Sequence, residues 1–177
     1  LAPAMRGGAL QQMAWQLAEK TRIPRQPAID VAALRAAGIS EKDQRGITDT
    51  LDGYNRANPV NFVMVRCLSL LLAGATGATH SQAWPHWQPP PPPPALLPMI
   101  NPEAMSPTVH ALALLLTDRR SDAAPSTLLP SLYRHLAHWP AFLGYASVLV
   151  PPEFEAIDAA SAKMRQQVDL ACTSLTS

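Results

Sequence analysis

Apolar residues recur at helical spacing along most of this chain. Nowhere do they alternate every second residue for long enough to read as a strand, and no hairpin-type turn chemistry is present. In residues 7–22, Leu10, Met13, Ala14 and Leu17 line one face of a predicted helix. Ile23-Pro24-Arg25-Gln26-Pro27 reads as an extended connector, because a proline disfavours helical geometry in the residue before it. A short helix over 28–37 turns Ile29, Ala33 and Leu34 inward, and Gly38 suits the left-handed position just past its end.

Ser40-Glu41-Lys42-Asp43 has the spacing of a capping box, with Asp in the place usual for Glu or Gln. The helix it opens is predicted to run from 41 to about 56, with Ile47, Leu51 and Tyr54 on one face and Gly46 and Gly53 as weak points. Asn58-Pro59 then reads as a restart, Asn58 as N-cap and Pro59 as first helical residue. The segment from there to about Ala73 is apolar nearly all round, which predicts a central helix buried on most sides.

Residues 75–107 break the pattern with Trp84, Trp87 and six consecutive prolines, Pro89 to Pro94. A polyproline run is extended. It is either a ligand for a proline-recognition module or a loop wrapped on the helical body. Helical spacing resumes over 108–118 through Val109, Leu112, Leu115 and Leu116, with Arg119-Arg120 near the favourable C-terminal end. Pro125-Ser126-Thr127 begins the next segment. Leu132, Leu136 and Leu143 mark a further helix that Pro140 breaks or kinks, beside the aromatic residues Trp139, Phe142 and Tyr145. Residues 153–172 carry a last stripe: Phe154, Ile157, Ala160, Met164, Val168 and Ala171. The fold class expected is all-α.

Composition narrows the function. A chain of 177 residues can bury one real core. Its net charge of +1, with cations and anions interspersed, gives no electrostatic case for nucleic acid or an anionic membrane. Cys67 and Cys172 are the only cysteines and have no metal or redox spacing, so buried free thiols are expected. The longest apolar run, near 60–75, contains Arg66 and is short for a bilayer. No leader pattern opens the sequence as given, which makes a soluble cytoplasmic protein the expectation. His135 and His138 are spaced to chelate on a helix, but no third ligand accompanies them and no metal is expected. No phosphate-cradling glycine loop or nucleophile-elbow motif occurs.

Two stretches carry a resemblance. Pro130-Ser131-Leu132-Tyr133-Arg134-His135-Leu136-Ala137-His138-Trp139-Pro140-Ala141-Phe142-Leu143, followed by Leu149-Val150-Pro151, is the first. The second is Leu34 to Ser40 together with Leu51-Asp52-Gly53-Tyr54-Asn55-Arg56-Ala57-Asn58-Pro59. In this order they resemble the group I (DehI-type) 2-haloacid dehalogenases. The resemblance implies an all-α fold of two helical repeats. Residues 1–22 would be the tail of a first repeat and 23–177 a second repeat, with 75–107 as a Pro-rich loop. The opening Leu1-Ala2-Pro3 echoes Leu149-Val150-Pro151 in keeping with this. The alternative is a single-repeat protein that pairs with a second copy, and a homodimer is expected.

The resemblance also implies a reaction. An Asp activates a water that displaces halide directly from the alpha carbon of a short 2-haloalkanoic acid, with inversion and no ester intermediate. An Asn helps hold the water, a Tyr and apolar residues line the pocket, and no metal or organic cofactor takes part. Carried to this chain, Tyr133 is the pocket residue. Ser40-Glu41 with Asn55 follows the family's order, but with Glu where the family has Asp. On one straight helix Glu41 and Asn55 would lie roughly 21 Å apart, so this assignment requires a break at Gly46 or Gly53. Asp52 and Asn55, at i and i+3, are the local alternative for base and water-holder. Ser40 and Asn58 complete the substrate-side candidates, and each is equally well placed as a helix cap. The competing function is a non-catalytic helical relative that binds a small molecule or a protein.

Overall fold

The computed structural model describes residues 12, 15, 16, 30–74, 94–117 and 128–176, with side chains as far as Leu170. The predicted stripe from Leu10 to Leu17, the connector 23–27, Trp84, Trp87, the proline run through Pro93, Arg119-Arg120, the segment start at Pro125 and the Cys172 side chain lie outside them. Gln12, Trp15 and Gln16 are helical. The described residues are mostly helical with no strand, as the spacing predicted. The order is α1 (Val31–Ala36), α2 (Glu41–Leu72), α3 (Pro107–Thr117), α4 (Ser131–Leu136), α5 (Pro140–Leu149) and α6 (Phe154–Thr176). Single 3-10 turns occupy Pro102–Ala104 and Pro151–Glu153. No helix among the described residues is long and apolar enough to cross a membrane.

One proline expectation needs correction and the other is met. Asn58-Pro59 does not restart a helix: α2 runs unbroken for 32 residues with Pro59 inside it. A mid-helix proline removes one amide donor and crowds the preceding turn. That local cost is outweighed where one face is packed, as Val63 and Cys67 are. Of the two outcomes expected at Pro140, the helix is broken there rather than kinked. α4 ends at Leu136, and Pro140 is the first residue of α5, where its missing amide costs nothing and its fixed φ is already helical.

The chain divides into two compact units. One comprises Arg25–Tyr54 and Pro93–Glu155. Its core gathers Leu34, Ile39, Ile47, Val109, Leu116, Leu136, Ala137, Phe142 and Leu143, with Leu51, Ile100, Leu112 and Tyr145 packed around them. α3 lies against α5, and Leu116 and Leu143 are among its fully buried side chains. Asp30 caps α1 by accepting from the Ala32 amide at 2.8 Å, and Gly38 takes φ +82° just past its end, as its sequence position predicted.

The other unit comprises Leu1–Pro24, Asn55–Pro92 and Ala156–Ser177. Val63, Cys67 and Val168 are buried there, Cys67 is not in a disulfide, and Arg66 pairs with Asp169. The expectation that this part of α2 is buried on most sides is not met. Val65 and Leu72 are exposed, and Phe62, Met64 and Leu68 are partly so.

Candidate functional site

The N-terminus of α2 is held by a true capping box. The Asp43 Oδ2 accepts from the Ser40 amide at 3.1 Å, and the Ser40 Oγ accepts from the Asp43 amide at 3.2 Å. Asp stands where Glu is usual, and its other oxygen, Oδ1, accepts from the Trp139 indole at 3.1 Å. The hydrogen bonds from the Ser40 hydroxyl and amide, with help from Trp139 and Lys42, hold the Asp43 carboxyl below its ordinary value. Ser40 is therefore spent on the cap.

Glu41 is exposed and pairs with Arg35 at 3.0 Å, both side chains facing solvent. The helix breaks neither at Gly46 nor at Gly53. Glu41 and Asn55 stand fourteen residues apart on it, roughly 21 Å at 1.5 Å per residue, so they cannot hold one water together. Asp52 is exposed, and no hydrogen bond or ion pair engages its carboxylate among the described residues. Asn55 and Asn58 are exposed on the same helix. Asn58 is not a cap, because the helix passes through it.

Tyr133 is half-buried and packs on the core. Its hydroxyl donates to the Leu116 carbonyl at 3.0 Å, tying α4 to the end of α3. The residues after it are similarly engaged. The Arg134 guanidinium donates to the Ile100 carbonyl at 3.1 Å and to Asn101 Oδ1 at 3.0 Å, while the Ile100 amide donates to the Arg134 carbonyl at 3.3 Å. The His138 Nε2 lies 2.8 Å from the Pro98 carbonyl. Arg134 and His138 thus fasten the extended segment 95–101 to α4. His135 and His138 bond to different partners and do not form a chelating pair, and the described residues hold no cluster of three metal-ligating side chains.

Sequence reasoning missed the pair Tyr54–His135. The two side chains, 81 positions apart, meet at 2.8 Å between the phenolic oxygen and Nδ1, with their rings edge to face at 5.6 Å. Burial is the main force on both. It pushes the Tyr54 phenol up, against the Ser131 hydroxyl and the Arg134 charge, so the phenol stays protonated. It pushes the His135 imidazole below its ordinary value. The Leu97 and Ser131 carbonyls oppose this shift, while the charges of His138 and Arg134 add to it. One signal for Tyr54 was in the sequence: a tyrosine on an inward helical face needs a partner for its hydroxyl. Nothing local named that partner.

No protein-family model matches the chain, and no curated protein matches it.

Proposed function

We propose that this chain is a helical domain of the group I 2-haloacid dehalogenase kind and hydrolyses short 2-haloalkanoic acids. Asp52 is the base and Asn55 orients the water. The observation that carries this choice of base is the state of the carboxylates nominated by the resemblance. Glu41 is ion-paired to Arg35 and stands too far along α2 from Asn55, whereas Asp52 has no bonding partner among the described residues and is one helical turn from it. A general base must have a free lone pair within reach of the proton that it takes.

In the reaction the Asp52 carboxylate takes a proton from water as the water oxygen attacks the alpha carbon. The carbon–halogen bond breaks with its electron pair leaving on the halide. The product is the 2-hydroxy acid of inverted configuration. The second-repeat organisation and a homodimer belong to the same proposal.

A second reading has its own support. The polar side chains of the most distinctive stretch, Tyr133, Arg134, His135, His138 and Trp139, all bond within the protein, and Asp52 faces solvent. This favours a non-catalytic relative in which the stretch is a structural fastening and the domain binds a small molecule or a protein.

Halide release from D- and L-2-chloropropionate decides between the two. The expected result is release from both enantiomers, lost in Asp52→Asn and kept in Glu41→Gln. A folded protein that releases no halide from either enantiomer removes the catalytic reading for these substrates. Loss in Glu41→Gln alone would overturn the assignment of the base.

A further inference from the structure

The second half of α2 is apolar on two faces, and one of them packs within its own unit. Val63 and Cys67 are buried on that face, and Arg66 pairs with Asp169 of α6. The other face is the row Asn58, Asn61, Val65, Leu68 and Leu72, every member of it exposed. The row advances by alternate steps of three and four, the spacing that keeps one seam of a helix turned toward a partner helix. Its apolar members are large and open to solvent: Val65 is 63% exposed, Leu68 42% and Leu72 81%. Phe62 and Met64 flank the row and are partly exposed as well. A single exposed leucine needs no explanation, but a contiguous apolar row marks an interaction surface.

The chemistry of the row selects its occupant. From Ala57 to Ala73 the one charged side chain is Arg66, and Asp169 engages it. A nucleic acid or a charged peptide finds nothing on this face to pair with. A helix that lies on an anionic membrane carries Lys and Arg on its polar face. Here the residues flanking the row are Phe62, Met64 and Ser69. The surface that complements an uncharged stripe is another uncharged stripe, and a second copy of this chain presents one. The row is also centred. Val65 is its middle member, with Asn61 and Leu68 next and Asn58 and Leu72 outermost. A two-fold axis at Val65 brings the row onto itself whether the two helices run parallel or antiparallel.

We propose that Val65, Leu68 and Leu72, with Asn58 and Asn61, form the face through which two copies of this chain associate along α2. The proposal rests on the homodimer in the proposed function and gives it a surface; it does not depend on the reaction. The paired seam is about 21 Å long at 1.5 Å per residue. That is short for a permanent interface, so the dimer is reversible and depends on concentration.

Sedimentation equilibrium of the full chain, over a hundredfold range of concentration, is the test. The parent should pass from monomer to dimer. Val65→Glu and Val65→Lys each put a charge at the centre of the seam, where it meets its like in the second copy. Each should weaken association by about tenfold or more. Mixed in equal amounts, the two variants should associate again, because opposite charges then face each other. A variant that had only lost its fold would not be rescued in this way. Leu115→Glu places the same charge on an exposed leucine of α3 and should leave association unchanged. A parent that stays monomeric throughout overturns the surface and the homodimer together, whatever its halide release. If the Val65→Cys thiol then also resists alkylation, another segment of this chain covers the row. A dimer that Val65→Glu does not weaken, or a mixture that associates no better than either variant alone, keeps the homodimer but overturns this surface.

Discussion

Leu143→Ala should lower the free energy of unfolding by about 2–5 kcal/mol, the range for removing a fully buried leucine from a packed core. Leu143 has no exposed surface, and its neighbours come from separate elements. α5 packs against α3, whose Leu116 is 1% exposed and belongs to the same core cluster as Leu143. Truncation removes the apolar transfer energy of the side chain and leaves a void. α3 and α5 cannot close that void without moving Val109, Leu136 and Phe142, which pack in the same cluster. Urea unfolding of the variant beside Leu115→Ala checks this. Leu115 precedes Leu116 but is 53% exposed, so its truncation should change stability by only about 0.5 kcal/mol. Equal losses in the two variants would mean that α3 packs by a different face.

The two glycines of α2 should respond to alanine in opposite senses. In an ordinary helix interior, Gly→Ala stabilises by roughly 0.5–1 kcal/mol, because glycine has more backbone freedom to lose. Gly53 should show that gain. A methyl group there would meet only the end of the Leu96 side chain, at an ordinary 3.5 Å. Gly46 should not. Its methyl would stand 2.6 Å from Cζ2 of the Trp139 ring, a distance at which something must move. The ring is not free to retreat, because Asp43 holds its indole nitrogen. Overpacking of this kind costs about 1–3 kcal/mol, so Gly46→Ala should be net destabilising despite its better helix propensity. In chemical denaturation, Gly53→Ala should melt later than the parent and Gly46→Ala earlier. A Gly46→Ala protein as stable as Gly53→Ala would show that the Trp139 ring does not lie across α2.

The contrast between these glycines shows where sequence reading reaches its limit. Both looked alike from the sequence, as weak points of α2. Neither breaks it. One is small because an indole from 93 positions away lies on it, a fact that no local pattern contains. Asp43 is similar. Its place in the capping box was legible from Ser40 three residues earlier, but its bond to Trp139 was not. Among the candidate site residues, the sequence supplied identities and spacings, and from these the distance objection to pairing Glu41 with Asn55. It could not say which carboxylate would already be engaged. That depends on Arg35 folding back toward Glu41 and on no described residue bonding to Asp52.

The sequence by itself determined that the described residues are mostly helical, where α1, α3 and α6 lie to within a few residues, that Gly38 ends α1 in a left-handed turn, and that Leu34, Val109 and Leu116 lie on apolar stripes that enter the core. These follow from 3.6-residue periodicity and from capping and turn preferences, which act over one or two turns and can be read locally. Only the tertiary structure decided that α2 runs through Pro59, that Pro140 opens a helix, and that Tyr133, His135, His138 and Trp139 fasten distant segments. A proline's cost of a few kcal/mol is overruled or accommodated according to the packing around it. A polar side chain on a half-buried face takes whichever partner the fold brings within 3 Å, and that partner is set by the sum of all contacts rather than by the residues on either side.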